Sequence, residues 1–363
     1  MERCGGCGKP ITGPYVEVLG KLWHPEHFVC TVCKCPFPNK KFLVKDGEPY
    51  CEKDYHQRFS PRCAGCRQPI IGSYVSAMGR SWHPEHFLCA NCQKPTGQKF
   101  LVKDGKPYCE EDYHLLFSPK CQVCGNVIKG PHLQNHWGER FCKWHKGKLP
   151  ECFSCGRLIS DRLTGGGARY TDGRTICGLC RSRAVDKESR GIPLLISVRK
   201  TLGELDLDPS QRDIPFRLTD RNELMRLARK GRKEKQVNGM ARIRETSRKG
   251  VELTRTIDEI LALYGLPEEH LGAVLAHELG HAYLFLNHFP LLKPKVEEGV
   301  AELFAYLWLK KRGGVDAENR IFLMEKNTDA VYGRGFKDAR KAFKKHGLKK
   351  LLDHVKRTKR FTR

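Results

Sequence analysis

The sequence predicts a multidomain chain in which small, cysteine-rich, β-rich modules precede an α+β domain. Three observations carry that expectation. All 18 cysteines lie between residues 4 and 180, mostly as CxxC pairs, and none follows. The first 118 residues read as two copies of one pattern. The cysteine-free half holds His277-Glu278-Leu279-Gly280-His281, with Glu298 seventeen residues after the second histidine. At 363 residues the chain has room for several domains.

The repeat has a period of about 59 residues: Trp23-His24-Pro25-Glu26-His27-Phe28 returns as Trp82-His83-Pro84-Glu85-His86-Phe87, and Phe42-Leu43-Val44-Lys45-Asp46-Gly47 as Phe100-Leu101-Val102-Lys103-Asp104-Gly105. Each copy carries two CxxC pairs, an HxxH and a CxxD, with two residues between the HxxH and the next CxxC. No signal-peptide pattern opens the sequence, and no run approaches the roughly 18 apolar residues of a membrane span. The expectation is a cytoplasmic protein with no membrane partner. In a reducing cytosol its thiols would bind zinc rather than pair as disulfides.

Each copy resembles the LIM double zinc finger. The resemblance implies that Cys4, Cys7, His24 and His27 hold one zinc, and Cys30, Cys33, Cys51 and Asp54 the next. In the second copy the sets are Cys63, Cys66, His83, His86 and Cys89, Cys92, Cys109, Asp112. Eight ligands fill two tetrahedra per module. Cys35, His56 and His114 are left over. Modules this small have little apolar core, so metal is expected to supply most of their folding free energy, on the order of 10 kcal/mol per zinc.

The series continues as Cys121, Cys124, Cys142, His145 and then Cys152, Cys155, Cys177, Cys180, a LIM-like double zinc module. Six residues now separate His145 from Cys152. Two unrelated zinc ribbons are the competing reading, and the shared ligand order favours the LIM-like one. The boundaries expected are 1–59 and 60–118 for the two LIM modules, 119–182 for the LIM-like module and 183–363 for the last domain. A polar linker near Arg181 to Gly191 would join the halves.

Beyond it, Ile192 to Val198 reads as a strand entry or buried run, and Thr254 to Tyr264 as a β-rich segment closed by Gly265-Leu266-Pro267. Helical spacing of Leu271, Val274, Leu275, Leu279, Ala282 and Tyr283 predicts a helix beginning near Glu268, and Val296 to Leu309 predicts another. On the first, His277 and His281 lie one turn apart, so their imidazoles can converge on one metal, with Glu278 beside them as a base. Three protein ligands leave a fourth position for water, as a hydrolytic zinc requires.

The segment Glu298-Gly299-Val300-Ala301-Glu302 resembles the third-ligand helix of gluzincin metallopeptidases. It implies Glu298 as ligand and Glu302 as the acid that orients a zinc histidine. Glu297 competes for the ligand role, but it points about 100° away around the helix. With Tyr264-Gly265-Leu266-Pro267 and Val331-Tyr332-Gly333-Arg334-Gly335-Phe336, the chain resembles the LIM-containing peptidases of the plant organ-size pathway, the DA-one type. The fold this implies is LIM modules followed by an α+β gluzincin-like metallopeptidase domain. The family cleaves selected regulatory proteins and is activated by ubiquitylation. This chain begins three residues before its first zinc ligand, leaving no room for the ubiquitin-interacting motifs of plant members, so ubiquitin regulation is doubtful. Glu302 also stands where plant relatives are expected to carry an amide.

The expected function is therefore a zinc-dependent endopeptidase. One zinc at His277, His281 and Glu298 would activate water, Glu278 would shuttle its proton, and about six further zinc ions would be structural. Tyr332 is a candidate oxyanion donor or a packing residue in a glycine-rich turn. His270, His288, His346 and His354 read as surface or helix-end residues. Protein substrates and LIM-binding proteins are the expected partners. The alternative is a LIM scaffold with a silent peptidase domain. The net charge of +25 gathers at Arg226 to Lys249 and at Lys337 to Arg363. Without an aromatic-interleaved motif these read as solvated surface, and nucleic acid is not an expected partner.

Overall fold

The computed structural model describes residues 2–37, 41–228, 238–248 and 251–362, with no side-chain description at 247, 248 and 251–253. The core of the basic run, 229–237, lies outside the described residues. Two compact units emerge, 1–118 and 119–363. Among the described residues no helix is long and apolar enough to cross a membrane.

The first unit is built from hairpins. Val16–Val18 pairs with Lys21–Trp23 and Leu43–Lys45 with Glu48–Tyr50, followed by the helix Glu52–Phe59. The second module repeats this with Val75–Ala77, Arg80–Trp82, Phe100–Lys103, Lys106–Cys109 and the helix Glu110–Phe117. Two-residue turns close the hairpins. Asp46-Gly47 and Asp104-Gly105 have positive φ at both positions, the twist that lets a tight turn match paired strands. Phe28, Phe37 and Phe42 pack with Trp23 into a small aromatic cluster, a modest core for a module of this length.

The second unit opens with the third cysteine-rich module, whose hairpins are His132–Gln134 with Arg140–Cys142 and Gly167–Arg169 with Thr175–Cys177. The expected linker is ordered instead: Ala184–Val185 pairs antiparallel with Leu266–Pro267, and helix α1 (Glu188–Gly203) begins directly after. Ile192 to Val198, read as a strand entry or buried run, is therefore a half-buried stretch of helix and not a strand. Leu194, Leu195, Val198 and Leu202 recur at helical spacing and are buried. Pro193 is the sixth residue of the helix, past its first turn, so its missing N–H removes one bond of the helical ladder.

Then follow β1 (Phe216–Thr219), α2 (Arg221–Ala228), β2 (Gly239–Arg248) and β3 (Val251–Leu263). The sheet order is β1-β3-β2, with β1 parallel and β2 antiparallel to the central strand, so among the described residues β2 is an edge. Helix α3 (Glu268–Leu286) starts where expected, and α4 (Pro294–Arg312) starts and ends within a few residues of the expected positions. They are followed by α5 (Val315–Lys326), α6 (Tyr332–His346) and α7 (Leu348–Thr358). One hydrophobic core joins these helices to β3.

Candidate metal centre

Helix α3 is buried around most of its circumference, which is why its apolar residues show no single stripe. Its approach to α4 is close. A Cβ on Gly280 would lie 2.9 Å from the Ala301 Cα, so the glycine inside the HExxH segment lets the two helix backbones nearly touch. That contact sets the histidines against the α4 glutamates.

His277 Nε2 lies 3.2 Å and His281 Nε2 3.5 Å from the same Glu298 Oε2, and the two nitrogens are 3.1 Å apart. Glu298 is 3% exposed, and its Oε2 is buried with no hydrogen bond. A buried carboxylate oxygen without a hydrogen bond, facing two imidazole nitrogens, is the arrangement expected of atoms that share a cation. The donor set of two nitrogens and one oxygen fits zinc.

The outer ring nitrogens are also engaged. His277 Nδ1 is 3.5 Å from Glu302 Oε1, the partner expected from sequence. His281 Nδ1 is 3.4 Å from Glu297 Oε1, which sequence reasoning set aside. Glu297 does turn away from the Glu298 face, and that turn carries it to the second histidine. The signal that could have found it is arithmetic: two histidines each need an outer carboxylate, and the Glu297-Glu298 doublet supplies one beyond the ligand.

Charge balance points the same way. Burial, which alone would depress both imidazoles, is outweighed at His277 by Glu298 and Glu302 and at His281 by Glu297 and Glu298, so both pKa values rise. Burial would raise Glu298, but the two histidines hold it far below the usual carboxylate range. The cluster thus stabilises positive charge at its centre. Burial raises Glu278, whose Oε2 accepts a 2.9 Å bond from the Ala241 N–H of edge strand β2.

Tyr332 is the first residue of α6 rather than part of a glycine-rich turn, and its ring stacks 6.3 Å from that of His277. The neighbouring glycines serve packing. A Cβ on Gly299 would meet the Gly335 carbonyl at 2.5 Å, so α4 and α6 can touch only there without side chains.

The cysteine-rich modules bring together the side chains that the LIM resemblance groups into sets. Cys4/Cys7/His24/His27, Cys30/Cys33/Cys51/Asp54, Cys63/Cys66/His83/His86, Cys121/Cys124/Cys142/His145 and Cys152/Cys155/Cys177/Cys180 each bring their donor atoms within 4.8 Å of one another. In the remaining set Cys89 Sγ lies 3.0 Å from Asp112 Oδ2, and the thiols of Cys89, Cys92 and Cys109 hold Asp112 well below the carboxylate range. Cys51 and Cys109 also cap the helices that follow them, accepting from the N–H of Asp54 and Asp112. Cys35 is exposed, its Sγ 3.8 Å from the Cys33 carbonyl oxygen. His56 and His114 bond Ser60 and Ser118 at helix ends, 2.7 Å away in each case.

The third module is welded to the helical core. Ser154 Oγ and His270 Nδ1 are 2.9 Å apart, Arg320 donates to the Ser154 carbonyl at 3.1 Å, and Asn319 donates to the Cys155 carbonyl at 3.2 Å. His270, expected at a surface or helix end, is buried because the module covers the start of α3, and that burial lowers its pKa well below the ordinary value. His288 is exposed, while His346 and His354 are half-buried on α6 and α7.

Hairpins carrying paired clusters of cysteine, histidine and aspartate side chains that could hold metal, followed by a helix-and-strand region, define a multidomain LIM protein. Comparison with family models agrees: the LIM domain matches residues 4–59 and 63–117, and the DA1-like model, described as Protein DA1, matches 216–326 and 318–358. The chain is a LIM-domain protein of the DA1 type. The DA1-like match spans β1 to α7, including every residue of the histidine–glutamate cluster.

Proposed function

We propose that the DA1-like region is a zinc-dependent endopeptidase acting on protein substrates, and that the LIM modules recruit partners or restrain the cleft. The observation that carries this reading is the convergence of His277 Nε2, His281 Nε2 and Glu298 Oε2 within 3.5 Å, with a carboxylate behind each histidine. When bound by these three side chains, zinc supplies a Lewis acid that lowers the pKa of a coordinated water towards about 7.

The chain's own groups do the rest. Glu302 and Glu297 fix the histidines with Nε2 facing inward. Glu278, next to His277 and buried, takes the proton of the attacking water at its carboxylate and returns it to the leaving amine. Edge strand β2 supports a polypeptide substrate: an extended chain can add along its outer side, beside the Ala241 N–H that reaches Glu278. Exposed apolar hairpin residues such as Val44 and Val102 offer the LIM modules contacts for protein partners.

The test is cleavage of a diverse peptide library by intact zinc-loaded protein, read by mass spectrometry, beside Glu278→Gln. Products from wild type alone are expected. Equal cleavage by both would remove Glu278 as base, and no cleavage by either would favour a LIM scaffold with a silent domain.

A further inference from the structure

The basic C-terminal segment has no part in the peptidase reading, yet it builds a cleft of its own. Helix α7 buries Leu351, Leu352 and Val355 on one side. Lys350, Asp353, His354 and Arg357, spaced three and four residues apart, share another flank. With His346 at the end of α6 and Thr362 of the tail they line an open cleft of about 400 Å³, within the size range of small-ligand sites.

Two of these six residues carry an anomaly. His346 Nε2 and Thr362 Oγ1 are buried with no hydrogen-bond partner among the described residues. Such orphans are uncommon and call for a partner. Thr362 is held in place by its neighbour: Phe361 packs back into the core against Gly299, 2.9 Å from where a Cβ would stand.

The lining is rich in donors. Lys350 and Arg357 bring positive charge, Thr362 a hydroxyl, and His346 and His354 ring nitrogens that can donate, while Asp353 is the one acid of the lining. A compact anion with several acceptor oxygens satisfies such a set. A cation or an apolar ligand does not.

We propose that this cleft binds a phosphate-class oxyanion, with Arg357 and Lys350 supplying the charge and His346 and Thr362 donating from its floor. The guanidinium fork suits two phosphate oxygens at once, and Asp353 turns the anion towards the other five residues. The cleft shares no residue with the metal centre, so the proposal stands apart from the peptidase reading.

The experiment is a titration of inorganic phosphate into intact zinc-loaded protein labelled with ¹⁵N at histidine, at fixed ionic strength. A saturable shift of the His346 imidazole resonance is expected. Lys350→Gln with Arg357→Gln should weaken binding at least about tenfold, and Thr362→Val should weaken it less. Lys341→Gln with Lys344→Gln, which removes the same charge outside the cleft, should leave it unchanged. No saturable shift, or equal weakening by the outside pair, would overturn the proposal, the latter by reducing it to diffuse attraction. A phosphoserine peptide then separates the sources: tighter binding than inorganic phosphate assigns the cleft to phosphorylated polypeptides, and equal binding to the free anion.

Discussion

Each histidine of the central pair engages a carboxylate on both sides of its ring, Glu298 through Nε2 and either Glu302 or Glu297 through Nδ1. Because the outer acceptor fixes which nitrogen carries the proton, removing its charge should loosen the metal without removing a ligand. Glu297→Gln and Glu302→Gln are each expected to lower zinc affinity about 10- to 100-fold in competition with a chromogenic chelator. Unchanged affinity in the Glu297 variant would make that contact incidental. Much of this site is legible in the sequence, since helical periodicity alone places His277 with His281 and Glu298 with Glu302. The Glu297 contact is legible only by counting outer carboxylates, because it depends on how α3 crosses α4, and no periodicity within one helix encodes a neighbour's register.

At the scale of elements, the site depends on backbone approaches that only glycine permits. Gly299→Ala would push a methyl group against the Gly335 carbonyl, whose Cβ distance of 2.5 Å leaves it no room. The helices must separate, at a cost of about 1–3 kcal/mol measurable by denaturant unfolding. The Tyr332 ring should also leave His277, lowering activity beyond what the stability loss explains. The Asp172–Arg174 pair is similarly exacting. Its side chains are 0% and 1% exposed, and Arg174 also donates to the Tyr264 carbonyl, tying the third module to the end of β3. Asp172→Ala strands a buried guanidinium and should destabilise the second unit by about 3–5 kcal/mol in chemical denaturation. Sequence reading located α3 and α4 because their apolar spacing is local. It missed α1, where Pro193 and a β-branched run outweighed the helical spacing of Leu194, Val198 and Leu202.

At the scale of the molecule, cysteine content and compactness divide the chain differently. The cysteine boundary falls after Cys180, whereas the compact unit that holds the histidine–glutamate cluster begins at Pro119. The reason is the contacts of Ser154, Cys155 and Arg174 with His270, Asn319, Arg320 and Tyr264, none of which a ligand-spacing argument can foresee. A fragment of residues 119–363 should therefore melt in one cooperative transition, and one starting at 183 should melt lower or fail to fold, since it exposes His270 and the start of α3. Equal melting temperatures would mean that the third module is an appendage. The histidine–glutamate cluster itself is tested most directly by counting zinc and measuring peptide cleavage on the same samples of wild type, Glu278→Gln and Glu298→Ala. The expected result is about seven zinc ions with cleavage in wild type, the same count without cleavage in Glu278→Gln, and one zinc fewer without cleavage in Glu298→Ala. A full zinc count in Glu298→Ala, or undiminished cleavage by Glu278→Gln, would contradict it.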